Sequence, residues 1–144
     1  MAPFSLEADM ADAVSTQTID DGPRNLVMQF TNRSDGTGET NANKIDVSSL
    51  SKRPTDDAVC TSITISSIQF ATSGMSVDIF LDATTNQLLT TLPADYADTL
   101  DFSAYTGLPN NAGSGKTGDI LFSTRGHTNL DTYMVVITGV KNYG

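Results

Sequence analysis

Along this chain apolar residues recur at every second position over short stretches, and no segment sustains the three-to-four spacing of a helix face. Asn25-Leu-Val-Met-Gln-Phe30 puts Leu26, Met28 and Phe30 on one side of an extended segment. After the two-glycine turn Ser34-Asp-Gly-Thr-Gly-Glu39, residues Lys44 to Leu50 are the next predicted strand, and Arg53 to Asp57 read as a loop. The densest apolar stretch runs from Cys60 to Leu92. Within it Val59, Thr61, Ile63 and Ile65 share one parity, whereas Ile68 and Phe70 share the other. A phase change at Ser66-Ser67 predicts a β-bulge that swaps the faces, so that one strand contributes to both sheets. Val77, Ile79 and Leu81 then alternate with Phe80 on the opposite side, and the short connection Asp82 to Asn86 makes strands 75–82 and 87–92 a predicted hairpin.

The remainder divides in two. Leu100, Phe102 and Tyr105 are apolar points in a loop-rich stretch that ends at Gly118, and two last strands, Asp119 to Thr124 and Thr132 to Lys141, flank the turn Arg125 to Leu130. About eight short strands with loops between them predict an all-β fold, a two-sheet β-sandwich of jelly-roll type over residues 24–144. Residues 1–23 stand apart as an extended N-terminal arm: acidic, thinly apolar, with one predicted helical turn near Glu7 to Val14 and a turn signal at Asp20-Asp-Gly-Pro23. Its apolar anchors are Phe4, Leu6, Met10 and Val14. Each returns about 1.5–3 kcal/mol when buried, against about 1–2 kcal/mol to order each residue of the backbone. An ordered arm therefore needs backbone hydrogen bonds or a partner surface, and those four residues are the expected partner contacts.

Composition sharpens this picture. The formal charge is −9, and the acid is lopsided, 15 Asp against 2 Glu, which places it in turns and caps rather than helix interiors. Ser and Thr together number 34 and suit the solvent face of strands. An acidic surface repels phosphate backbones and anionic lipid, so neither nucleic acid nor membrane is an expected partner. The single cysteine, Cys60, excludes an intrachain disulfide and reads as a half-buried strand residue. No run of 18 apolar residues and no signal-peptide pattern occur, from which a cytosolic site of synthesis or assembly is expected.

Candidate chemistry is thin. Gly113-Ser-Gly-Lys-Thr117 resembles the end of a phosphate-binding loop, but position 110 is Asn and Gly118-Asp-Ile-Leu-Phe122 reads as a strand, so no helix N-terminus is available for phosphate. His127, the one histidine, sits in a predicted hairpin tip, and no nucleophile-elbow pattern accompanies it. Asp pairs suited to glycosidase chemistry lack the Trp that would hold a sugar ring. Asp20-Asp21, or Asp35 with Glu39, could meet calcium, but no EF-hand loop is present and turn Asp usually caps amides. Asn32-Arg-Ser34 matches a glycosylation sequon and is read as chance. No cofactor, metal or catalytic residue is assigned, and the chain is expected not to be an enzyme.

Several segments together carry a resemblance. They are Asp21-Gly-Pro-Arg-Asn-Leu-Val-Met-Gln-Phe30, Ser34 to Glu39, Lys44-Ile-Asp-Val-Ser48, Ile68-Gln-Phe with Ser73-Gly-Met, Phe80 to Thr84, Gly107-Leu-Pro-Asn-Asn-Ala-Gly113 and Thr117 to Thr124. From about residue 18 onward the chain resembles a family of small virion proteins of tailed bacteriophages, marine and cyanobacterial ones above all. The departure is Phe80, where a Trp would be expected. The resemblance implies a virion structural protein, in its most concrete form a capsid decoration (cement) protein on the outer head surface, assembled in the host cytoplasm. The implied partners are the major capsid protein and further copies of the chain, a homotrimer being the expected oligomer. The alternative is a tail or fibre module that binds host glycan through the loops around residues 103–118 and 125–131.

Overall fold

A computed structural model describes residues 12–143. Among these residues nine strands form: β1 (Ala13–Asp21), β2 (Asn25–Asp35), β3 (Ala42–Ile45), β4 (Cys60–Ser73), β5 (Ser76–Leu81), β6 (Gln87–Leu92), β7 (Ala97–Asp101), β8 (Ile120–Arg125) and β9 (Asn129–Tyr143). Two short 3-10 turns, Val47–Ser49 and Ser103–Tyr105, complete the elements. One sheet has the order β1-β2-β9-β4-β7 and the other β3-β8-β5-β6, with every pairing antiparallel. With β1 set aside, 2-9-4-7 facing 3-8-5-6 is the jelly-roll arrangement of two four-stranded sheets. The expected β-sandwich is present, and β1 is a ninth strand added to one edge.

Period two builds the core. Leu26, Met28 and Phe30 of β2, Ile68 and Phe70 of β4, and Val135 and Ile137 of β9 face Val77, Ile79 and Leu81 of β5 and Phe122 of β8. Across the two sheets, Phe30 and Phe122 meet edge to face at 5.2 Å between ring centres. The β5–β6 hairpin forms as predicted.

Four expectations are corrected. The bulge in β4 lies where the phase change places it, between Ile65 and Ser67, but it does not swap the faces. One extra residue restores the parity, so Ile63, Ile65, Ile68 and Phe70 are all buried on the core side and β4 stays in one sheet. The strand expected from Lys44 ends at Ile45, because the Asp46 carboxylate accepts the Ser48 amide and caps a 3-10 turn. Ala97–Asp101, read as loop, is β7: its one large apolar residue, Leu100, lies opposite Ile68 on the edge of the sheet. Finally β8 and β9 are not a hairpin, since the turn between them crosses from one sheet to the other. Of the predicted helical turn over 7–14, residues 7–11 lie outside the described residues, and Ala13 and Val14 are strand.

Candidate functional site

β1 is exposed along all but its last residue, yet its place against β2 is definite: Ala13 pairs with Arg33 and Thr18 with Met28, with a register shift before Asp20. Of the expected arm contacts, Val14 is 49% exposed and projects from β1; Phe4, Leu6 and Met10 lie outside the described residues. Ile19, not singled out by the sequence, is 53% exposed at the register shift. Apolar burial does not hold this strand. Backbone pairing does, with a carboxylate lock at each end.

The first lock is Asp12. Its carboxylate accepts from the Asn32 amide nitrogen (3.0 Å), the Ser34 hydroxyl (3.2 Å) and the backbone amides of Asp35 (3.2 Å) and Gly38 (3.1 Å). Burial would raise its pKa, but these donors outweigh burial and hold the carboxyl below its ordinary range. Behind it lies a second carboxylate. Glu39 accepts from Asn32 (2.8 Å) and from the Tyr133 hydroxyl (2.6 Å), and pairs with Lys44 at 2.5 Å. Burial, and then the Glu39 carboxylate, push the Tyr133 phenol far above its usual value. His127 closes the group: its Nδ1 lies 3.1 Å from the Thr124 hydroxyl, and a Cβ on Gly38 (φ +78°) would fall 2.3 Å from the imidazole. The turn Ser34 to Glu39 is thus a cradle for the start of β1.

The second lock is Asp21. It pairs with Lys141, whose side chain is wholly buried and also donates to the Ser51 carbonyl at 3.1 Å. The other Asp21 oxygen accepts the Ser51 amide (2.9 Å) and hydroxyl (3.0 Å). Burial works to raise this carboxyl too, and Lys141 followed by Ser51 outweigh it, so its pKa is lowered. No periodicity announces either lock, because the partners are 20 to 120 residues apart.

The remaining candidates take ordinary structural roles. Lys116 and Thr117 sit in a turn whose amides donate to the Gly113 and Asp82 carbonyls, and the Thr117 hydroxyl bonds the Asp82 carboxylate (2.8 Å), so none of these donors cradles phosphate. Asp35 accepts the Thr37 amide within its own turn. Among the described residues no group of three or more His, Cys, Asp or Glu is placed to hold a metal ion, and no helix is long and apolar enough to cross a membrane. Asn32 is 2% exposed, which removes the sequon from reach. Cys60 is also buried, and burial pushes its thiol pKa up, away from reactivity. At the opposite end of the sandwich from the Asp12 cradle, a cleft of about 570 Å³ lies among Cys60, Thr61, Asn110, Lys116, Asn142 and Tyr143. The Asn110 side-chain nitrogen is buried there without a hydrogen-bond partner, and the Tyr143 ring is already engaged by the Arg53 guanidinium at 4.6 Å.

No family model and no curated protein matches the chain. Among solved structures, a cupin superfamily protein from Desulfitobacterium hafniense DCB-2 is 12% identical with a TM-score of 0.36, over 90% of this chain and 80% of that one. A mutant of a family 29 carbohydrate-binding module is 8% identical with a TM-score of 0.38, over 89% and 92%. A further family 29 module is similar at 9% identity and a TM-score of 0.38, over 90% and 89%. At these scores the likenesses assign no activity and no ligand to this chain.

Proposed function

We propose that the chain is a non-enzymatic structural protein of a phage virion, a decoration protein that binds the major capsid protein on the outer surface of the head shell. The observation that carries this reading is β1. It is a nine-residue edge strand with one side paired to β2 and, among the described residues, no strand on its other side, and it is bolted at both ends by Asp12 and Asp21. A strand held this way is a template for strand addition, in which the partner supplies the missing ladder. The resemblance carried by residues 18 onward and the acidic surface, suited to the side of a shell away from packaged DNA, support the same reading. Deleting residues 1–20 and adding the protein to undecorated shells tests it. Binding is expected to disappear while residues 24–144 still melt cooperatively; undiminished binding removes β1 from the mechanism.

A second reading is favoured by one observation, the unpartnered Asn110 nitrogen in the cleft beside Lys116. Two donors facing one concavity suit the oxygens of a glycan, as a tail or fibre module would need. Its weakness is the ring of Tyr143, occupied by Arg53 rather than free to stack on a sugar. On a glycan array this reading expects hits that Asn110→Ala abolishes, and an array without hits ends it.

A further inference from the structure

The outer face of the five-stranded sheet differs from the rest of this acidic molecule. On its central strand β9, the residues pointing away from the core are Thr132, Met134, Val136, Thr138 and Val140, while Tyr133, Val135 and Ile137 point inward. Residues 133–137 are therefore an unbroken apolar run, where an antiparallel strand with one wet face is expected to alternate. Such runs belong to strands covered on both faces. The flanking strands continue the pattern. Val136 lies between Gln29 and Gln69, and Met134 between Thr31 and Ala71. Among the described residues, the charges on this face come at its margins, at Asp20, Arg33 and Asp101. Near one margin the face dips into a hollow of about 430 Å³ beside Met134, Thr31 and Ala71.

We infer that this face is a contact with a second copy of the chain, packed sheet to sheet across a two-fold axis close to Val136. The charge distribution selects the occupant. Two molecules of formal charge −9 repel one another wherever their acidic loops meet, and they approach at least cost through a face that is almost uncharged. A basic partner would instead favour the acidic loops. A two-fold contact also asks only that one patch complement itself, which a flat neutral face does. The size suffices: five strands about 4.8 Å apart, over some nine residues rising about 3.3 Å each, offer on the order of 600 Å² per copy, or about 1,200 Å² in total, at the lower bound of stable interfaces. This contact lies on a face and not on the outer edge of β1, so it stands whether or not the virion reading does.

The test is the mass of the full chain in solution by light scattering and sedimentation. At about 100 µM the wild type is expected to be a dimer. Val136→Asp, which points away from the core, is expected to raise the dissociation constant by about 100-fold or more and to leave the melting curve cooperative. Should Val136→Asp fail to fold, Gln69→Glu on the same face serves in its place. Mixing Val136→Asp with Val136→Lys is expected to restore the pair, since the axis brings the two substituted positions together. A wild type that stays monomeric at that concentration overturns the inference, as does a dimer or trimer whose mass Val136→Asp and Gln69→Glu leave unchanged. Self-association that survives these substitutions while shell binding is lost assigns the face to the shell protein instead, and that too overturns it.

Discussion

Asp12 and Asp21 show what single residues contribute to a strand that buries almost nothing apolar. Both carboxyls titrate below their ordinary value, so both favour the folded state while ionised. Their contribution is fully present above the unfolded value, about pH 3.8, and is lost as pH falls below it through the lowered folded values. Measured as unfolding free energy against pH between about 5 and 2, the wild type is expected to lose stability more steeply than Asp12→Ala. At pH 7 Asp12→Ala leaves the Asp35 and Gly38 amides without this acceptor and is expected to cost about 1–3 kcal/mol and to speed hydrogen exchange through β1 before the rest of the sheet. Asp21→Ala strands the buried Lys141 ammonium, for which urea unfolding should read about 3–5 kcal/mol. Gly139 needs its missing side chain for a different reason. It lies opposite Ile65 beside the bulge, and a Cβ there would fall 2.5 Å from the Ile63 methyl and 2.8 Å from the Thr64 carbonyl.

At the scale of elements, β4 and β1 illustrate opposite uses of irregularity. The bulge in β4 keeps Ile68 and Phe70 in phase with Ile63 and Ile65 on one face. Deleting Ser66 should therefore turn one half of the strand outward, and the loss of two buried side chains, more than about 4 kcal/mol, is expected to abolish the cooperative melt. In β1 the register shift exposes Ile19, and Val14 is exposed as well, so Val14→Lys with Ile19→Lys should change stability by no more than about 0.5 kcal/mol. The same pair places lysines along a pairing edge, a device that discourages strand addition. Shell binding is thus expected to fall while the melting curve stays in place, and equal binding by the double variant would count against the edge as the contact.

For the whole molecule the ruling quantities are charge and layer count. One sheet has five strands and the other four, so β1 projects past the layer that covers its neighbours, which is why it is paired yet exposed on both faces. The formal charge of −9 acts against compactness through self-repulsion, and raising monovalent salt from about 0.05 to 0.5 M is expected to raise the melting temperature by a few degrees as the Debye length shortens from about 14 to 4 Å.

Period two is a local property, so alternation along the chain is enough to specify the β class, the core faces of β2 and β5, the β5–β6 hairpin and the position of the bulge. It could not determine what the bulge does, because parity names a side of a strand and only the paired ladder says which side is the core. β7 carries no pattern of its own, because its identity comes from the edge of β4 it pairs with. The arm was legible as a segment that needs hydrogen bonds, but their donors, Asn32, Ser34, Ser51 and Lys141, are brought to Asp12 and Asp21 only when distant turns meet. A charge finds its partner through space. That is why alternation along the chain could be read directly, while the two locks and the uncharged sheet face became visible only with the strands in place.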